Sequence, residues 1–198
     1  MPITLSKADG DNPIDGLVRL AAGISWDTTA GMTGGLWGKV KQKLGTDLDL
    51  IAILTSGGEP VRYAGLDVLD PAQNGSVTHS GDNQTGHGEG DDETVTLDFT
   101  RLNGTPVDGV LFIAAAFKKG SSLEAAANVS LKIYTQGAGE AGLEQVVDIW
   151  PSLRQRGNAV ALAKVHRQGD NWFLTVVNEP VTIKQGDRNS LLNAAMGM

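Results

Sequence analysis

The stretch Gly81–Thr100, GDNQTGHGEGDDETVTLDFT, joins a glycine-rich acidic segment directly to an alternating one, and how it is read decides the fold. Asp82, Asn83, Thr85, Glu89, Asp91, Asp92 and Glu93 crowd among Gly81, Gly86, Gly88 and Gly90. Clustered carboxylates repel one another and destabilise a fold unless a cation neutralises them. Glycine lets the backbone wrap tightly and turn its carbonyls inward. Carboxylate, amide and backbone oxygens together make a hard-cation site, and Ca²⁺ suits a flexible oxygen cage of high coordination better than Mg²⁺ does. The EF-hand is the first template to test, because Asp82 to Glu93 places acids at both ends of a twelve-residue loop. Its interior fails the test: Gln84 and Gly86 stand where ligands belong, and His87 replaces the turn glycine. The exiting segment fails too. Val95, Leu97 and Phe99 alternate with Thr94, Thr96 and Asp98, the period of a half-buried strand and not of a helix. The EF-hand is excluded, and the loop sits in a β context. The alternative to a cation site is a solvated acidic turn.

Upstream of the loop, Val18, Leu20, Ala22, Ile24 and Trp26 share one face of a strand, with Arg19, Gly23 and Ser25 on the other. Asp27 falls at its end, on the face opposite Trp26. DLDLIAIL at Asp47–Leu54 puts Asp47 and Asp49 on the face continued by Ile51 and Ile53. That placement suits ligands at the lip of a sandwich, or a pair of solvated strand-end acids. Between these strands lies a basic, glycine-punctuated insertion, Thr28–Thr46, in which Leu36, Val40 and Leu44 recur at helical spacing among Lys39, Lys41 and Lys43. It is not a phosphate loop, since Thr33 and Val40 replace the residues that motif needs. It reads as a flexible connecting loop, or as a docking or membrane-touching hairpin with Trp37 at its tip.

Further strands are expected at Val61–Tyr63, Val77–His79, Val110–Phe117, Val129–Ile133, Val146–Trp150, Val160–His166 and Trp172–Val177. VLFIAAAF is apolar on both faces and marks a central strand. A helical turn with Ser121 and Glu124 at capping-box spacing and a terminal helix over Ser190–Met196 complete the pattern. Many short strands without a βαβ rhythm give an all-β, mainly antiparallel β-sandwich of two sheets with one or two short helices. Residues 1–198 form a single domain in this reading.

Composition narrows the function. A net charge of -7 argues against nucleic acid and against constitutive contact with anionic lipid. The absence of cysteine excludes thiolate zinc sites, thiol catalysis and disulfides. No apolar run is long enough to cross a bilayer and no leader is evident, so a cytoplasmic protein without membrane insertion is expected. There is no nucleophile elbow around Ser76, and His79, His87 and His166 lack zinc-like spacing. His79 is open to packing at a strand end or to orienting a loop carboxylate. Paired carboxylates leave a carboxylate-based or metal-assisted hydrolase as the alternative to a binding module.

Three stretches in order, ISWD at Ile24–Asp27, DLDL at Asp47–Leu50 and HSGDNQTGHGEGDDE at His79–Glu93, resemble the TerD family of tellurium-resistance proteins. The resemblance runs from LSK near the N-terminus to NWFLTVV. It implies a Ca²⁺-binding β-sandwich, without catalytic activity, that acts in tellurite and stress resistance. Transferred to this chain, the motif makes Asp27, Asp47, Asp49, Asp82, Asn83, Thr85, Gly86, Gly88, Asp91, Asp92 and Glu93 the metal-site residues, for more than one Ca²⁺. It implies partners among proteins of the same resistance system, a membrane-embedded one included. Where common members carry Phe-Tyr-Asn-Asn, this chain has LDVLDP, so Asp67 or Asp70 is the replacement for an asparagine ligand. Exchanging Asp82 for Asn or Glu93 for Gln is expected to relieve repulsion in the metal-free chain. Deleting Leu36–Leu44 is expected to leave thermal stability and cation affinity nearly unchanged, because loop-closure entropy varies slowly with length. Loss of partner capture alone identifies a docking hairpin, whereas loss of the fold contradicts both readings.

Overall fold

The computed structural model describes residues 3–28, 47–83, 90–151, 157–196 and 198. The insertion expected at 28–46 lies outside the described residues except for Thr28. In chain order the strands are β1 (Ile3–Thr4), β2 (Asp11–Pro13), β3 (Leu17–Thr28), β4 (Asp49–Ser56), β5 (Glu59–Ala64) and β6 (Val77–His79). They continue as β7 (Glu93–Asp98), β8 (Gly109–Ala115), β9 (Ala126–Gly137), β10 (Glu144–Ile149), β11 (Ala159–Gln168) and β12 (Asn171–Val181). One sheet has the order β1-β10-β9-β3-β7-β6 and the other β2-β12-β11-β8-β4-β5. Among the described strands, pairing is antiparallel except between β1 and β10.

The main core lies between the sheets. Leu20, Ala22, Ile24 and Trp26 of β3, and Val95 and Leu97 of β7, face Leu50, Ala52 and Leu54 of β4 and Phe112 of β8. Each valine, leucine, isoleucine or phenylalanine among them contributes about 1.5–3 kcal/mol on removal from water. A bulge between Leu17 and Arg19 resets the start of β3, so Leu17 packs against the core ahead of the Leu20 row. The odd residues of β4 face the opposite way. Ile51 and Ile53 join Leu111, Ile113, Ala115, Val181 and Leu191 in a second cluster on the outer face of their sheet. The C-terminal helix α2 (Asn189–Ala194) supplies Leu191 to that cluster. Two covered faces explain why β8 is apolar throughout, with every residue buried.

Two local expectations need correction. β7 ends at Asp98, and Phe99 opens helix α1 (Phe99–Leu102) where the alternation suggested continued strand. The Asp98 side chain caps it, accepting from the backbone N–H groups of Thr100 and Arg101. Phe99 thereby turns onto Trp172, with ring centroids 5.4 Å apart. The turn after β8 is a 3-10 turn over Leu123–Ala125, capped by Ser122 and not by Ser121.

One contact between the sheets ties the described ends of the acidic segment, at Asn83 and Glu93, to β4. β5 pairs with β4 only from Ala52 onward, so the N–H and C=O of Leu50 meet no strand on that edge. Two side chains of the other sheet satisfy them. Glu93 Oε2 accepts from Leu50 N at 2.7 Å, and His79 Nε2 lies 2.9 Å from Leu50 O. Gly81 N–H donates to His79 Nδ1 at 2.9 Å, which leaves Nε2 as the donor to Leu50 O. Glu93 Oε1 accepts from Asn83 N at 2.9 Å, so one buried carboxylate ties the loop to both sheets.

An amide can accept through only one atom, so Glu93→Gln is expected to destabilise the metal-free protein and not to relieve it. Glu93→Ala leaves one fully buried and one half-buried N–H unsatisfied and should cost roughly 2–4 kcal/mol. Urea denaturation in chelator measures both. A Glu93→Gln variant more stable than the parent would contradict the cross-sheet contact.

Candidate metal centre

The start of β4 carries the acids. Asp49 is its first residue, Asp47 precedes it, and both are buried at the end of the outer cluster's face. The segment after β6 brings Asp82 to the same point. One carboxylate oxygen of each of Asp47, Asp49 and Asp82 lies within 4.8 Å of the others. Asp82 is exposed, which makes it the solvent-facing side of the group. The arrangement can hold a metal ion.

Asp47 and Asp49 are not solvated strand-end acids. Asp47 is 5% exposed, and its Oδ1 is buried without a hydrogen-bond partner. Its other oxygen, Oδ2, lies 3.4 Å from Lys118 Nζ. A buried, unpaired carboxylate oxygen is costly. Asp49 Oδ2 accepts from Phe117 N at 3.2 Å. Burial pushes the Asp49 carboxyl up to about 8, and the charges of Glu93, Asp47 and Asp82 push the same way against the Phe117 N–H. Burial also raises Asp47, reinforced by Asp82 and opposed by Lys118. Protonation or a nearby positive charge would each relieve these groups, and an all-oxygen donor set is the kind a hard divalent cation takes.

The other sequence-selected residues fall in different places. Asp92 closes the base of the loop: Oδ2 accepts from Trp26 N at 3.1 Å and Oδ1 from Asn83 Nδ2 at 3.1 Å. Burial raises its proton affinity, with Glu93, Asp27 and Asp91 adding to the effect against the Trp26 N–H. Asp27, exposed at the end of β3, accepts from Asn128 Nδ2 at 2.7 Å. Glu93 lies behind the three aspartates in the cross-sheet contact already described.

Asp91 turns away. Its carboxylate accepts from Lys132 Nζ at 2.9 Å and from Tyr134 Oη at 2.6 Å, both on β9. A Cβ at position 23 would fall 2.1 Å from Asp91 Oδ2, so Gly23 makes room for this anchor. Burial, with the bond to Asp91 next, makes Tyr134 hold its hydroxyl proton more tightly. Asp67 pairs with Arg188 at 2.9 Å, and Asp70 Oδ2 accepts from Gly75 N at 2.9 Å in a turn, so neither joins the three aspartates. Thr85, Gly86 and Gly88 lie outside the described residues. The sequence reading missed Lys118 and the Phe117 N–H. Two lysines after an apolar strand carry no signal of which acid they will meet.

Asp47, Asp49 and Asp92 bind protons more tightly folded than unfolded, so the folded, metal-free protein holds more protons above about pH 4. Its stability is therefore expected to fall as pH rises from about 5 to 8, and saturating divalent cation should flatten the slope. Asp9, Asp11, Asp98 and Asp108 are lowered and act only below that window. Melting temperatures in chelator across that range test this, and a rising or flat profile would count against it.

The TerD domain model matches residues 1–184. Tellurium resistance protein TerZ of Serratia marcescens is 28% identical over 166 residues, covering 81% of this chain and 79% of its own length. Stress response protein SCP2 of Bacillus subtilis is 25% identical over 171 residues, with 83% of each chain covered. General stress protein 16U of the same organism is 33% identical over 56% of each chain. These names assign no reaction. Among solved structures, a homologue of telluride resistance protein (TerD) from Streptomyces coelicolor superposes with a TM-score of 0.60 at 20% identity. The match spans 92% of this chain and 99% of that one, and it shows the shared fold.

Proposed function

This chain belongs to the TerD domain family, and from that membership we propose that it is a non-enzymatic Ca²⁺-binding protein of the tellurium-resistance and stress-response type, acting through contacts with other proteins. The observation that carries the proposal is the convergence of Asp47, Asp49 and Asp82 around a buried, unpartnered Asp47 oxygen. Asp47, Asp49 and Asp82 would hold the ion. Bound there, it would neutralise like charges and fix the loop against β4. A second ion, which the family resemblance implies, would draw on Asp27 and Asp92 at the loop base, where the Asp27 charge already strengthens proton binding by Asp92.

Ca²⁺ is favoured over Mg²⁺ because the group mixes a rigid strand start with an exposed loop carboxylate. Mg²⁺ demands a near-ideal octahedron and gives up its waters reluctantly. The hydrolase alternative is less well supported. A general acid–base must be free to exchange a proton with substrate. His79 has both ring nitrogens engaged by Gly81 N and Leu50 O.

Resistance by direct capture of tellurite is disfavoured, since an acidic chain repels oxyanions and hard oxygen ligands do not select them. The partners proposed are proteins of the same resistance system, a membrane-embedded one among them, met from the cytoplasm. No helix among the described residues is long and apolar enough to cross a membrane. Nucleic acid is not a proposed partner of so acidic a chain.

Calorimetric titration of metal-stripped protein is expected to show Ca²⁺ binding that survives excess Mg²⁺ and is lost in Asp49→Asn. Equal affinity for both ions, or no binding, would overturn the cage. Recovery of the same partners with and without Ca²⁺ would overturn the coupling of the ion to protein contact.

A further inference from the structure

Resting on the cation-binding reading above, we propose that Lys118 is a tethered counter-ion that occupies the edge of the aspartate cage in the metal-free protein and must leave when a divalent cation enters. Its Nζ lies 3.4 Å from Asp47 Oδ2, with the Lys118 side chain 63% exposed and the Asp47 side chain 8% exposed. The pair thus joins an exposed cation to a buried anion.

The backbone that carries Lys118 is held firmly. Phe117 N–H donates to Asp49 Oδ2 at 3.2 Å, and Phe117 O accepts from Gly186 N at 3.0 Å. Gln185 Nε2 donates to Ala116 O at 2.7 Å and to Ser121 O at 2.9 Å. The side chain therefore starts from a fixed point beside the cage, while its exposed length can swing into water without moving the backbone.

Such an arrangement has a thermodynamic sign. One ammonium partly compensates three crowded carboxylates, so it stabilises the metal-free cage. A divalent ion bound by Asp47 would lie within a few ångströms of Nζ if Lys118 stayed, and like charges at that distance repel strongly. Leaving costs little, because an ion pair with one exposed partner is weak and the freed ammonium regains its hydration. Cation uptake is then an exchange in which the lysine lowers apparent affinity and protects the metal-free state. The adjacent Lys119 lies with its stem against Gly186 and supplies the same formal charge without contacting the cage.

The two lysines make a matched experiment. Lys118→Gln and Lys119→Gln each lower the net charge by one, so any difference between them is local. Calorimetric titration with CaCl₂ is expected to give Lys118→Gln a dissociation constant roughly three- to tenfold lower than that of Lys119→Gln. In chelator, Lys118→Gln should melt below Lys119→Gln, and saturating Ca²⁺ should close the gap. Binding by the parent with equal constants for the two variants, or a weaker constant for Lys118→Gln, overturns the exchange and leaves the Ca²⁺ site standing. No binding by the parent overturns both.

Discussion

The N–H and C=O of Leu50 need partners in a place where no strand can provide them, because β5 joins β4 only two residues later. Unpaired backbone groups at that depth would cost as much as losing the hydrogen bonds outright. Glu93 and His79, both from the other sheet, satisfy them. A sandwich is ordinarily joined face to face by apolar packing alone. Here a carboxylate and an imidazole also join the sheets through the backbone, and the carboxylate reaches on to Asn83 in the loop. The relative position of β4, β7 and the acidic segment follows from that contact, and with it the meeting of Asp47 and Asp49 with Asp82.

The same requirement concentrates negative charge. Glu93 serves the backbone best as a carboxylate, and its charge is one cause of the raised proton affinity of Asp49. The fold thus places acids in a setting that resists their ionisation. Their surroundings offer two remedies, protonation of Asp49 and the nearby ammonium of Lys118. The divalent cation proposed for this site would be a third and would compensate all three aspartates together. Asp91 illustrates the contrast. It has its own lysine and tyrosine on the outer face, with Gly23 leaving space, and stands apart from the three aspartates.

Much of this was legible in the chain. The alternation of Val95 and Leu97 with threonines settled strand over helix and removed the EF-hand. The doubly apolar VLFIAAAF marked β8 as central, and it is buried on both faces. The period of DLDLIAIL put Asp47 and Asp49 in phase with Ile51 and Ile53, which is where the outer cluster places them. Glu93 is in phase with the buried Val95 and Leu97, a signal of an inward carboxylate that its assignment to the acidic loop passed over.

By itself the sequence determined the strand periods, the β class and the crowding of oxygen ligands, because these are local properties of residue type and spacing. Only the tertiary structure decided which acids share a site. Asp91 and Asp92 are neighbours in the chain, yet one faces Lys132 on the outer side of the sheet while the other faces Trp26 N and Asn83. Lys118 meets Asp47 from far along the chain. Such pairings depend on register, bulges and where an edge strand stops. Those features arise from contacts between distant segments, and no local spacing encodes them.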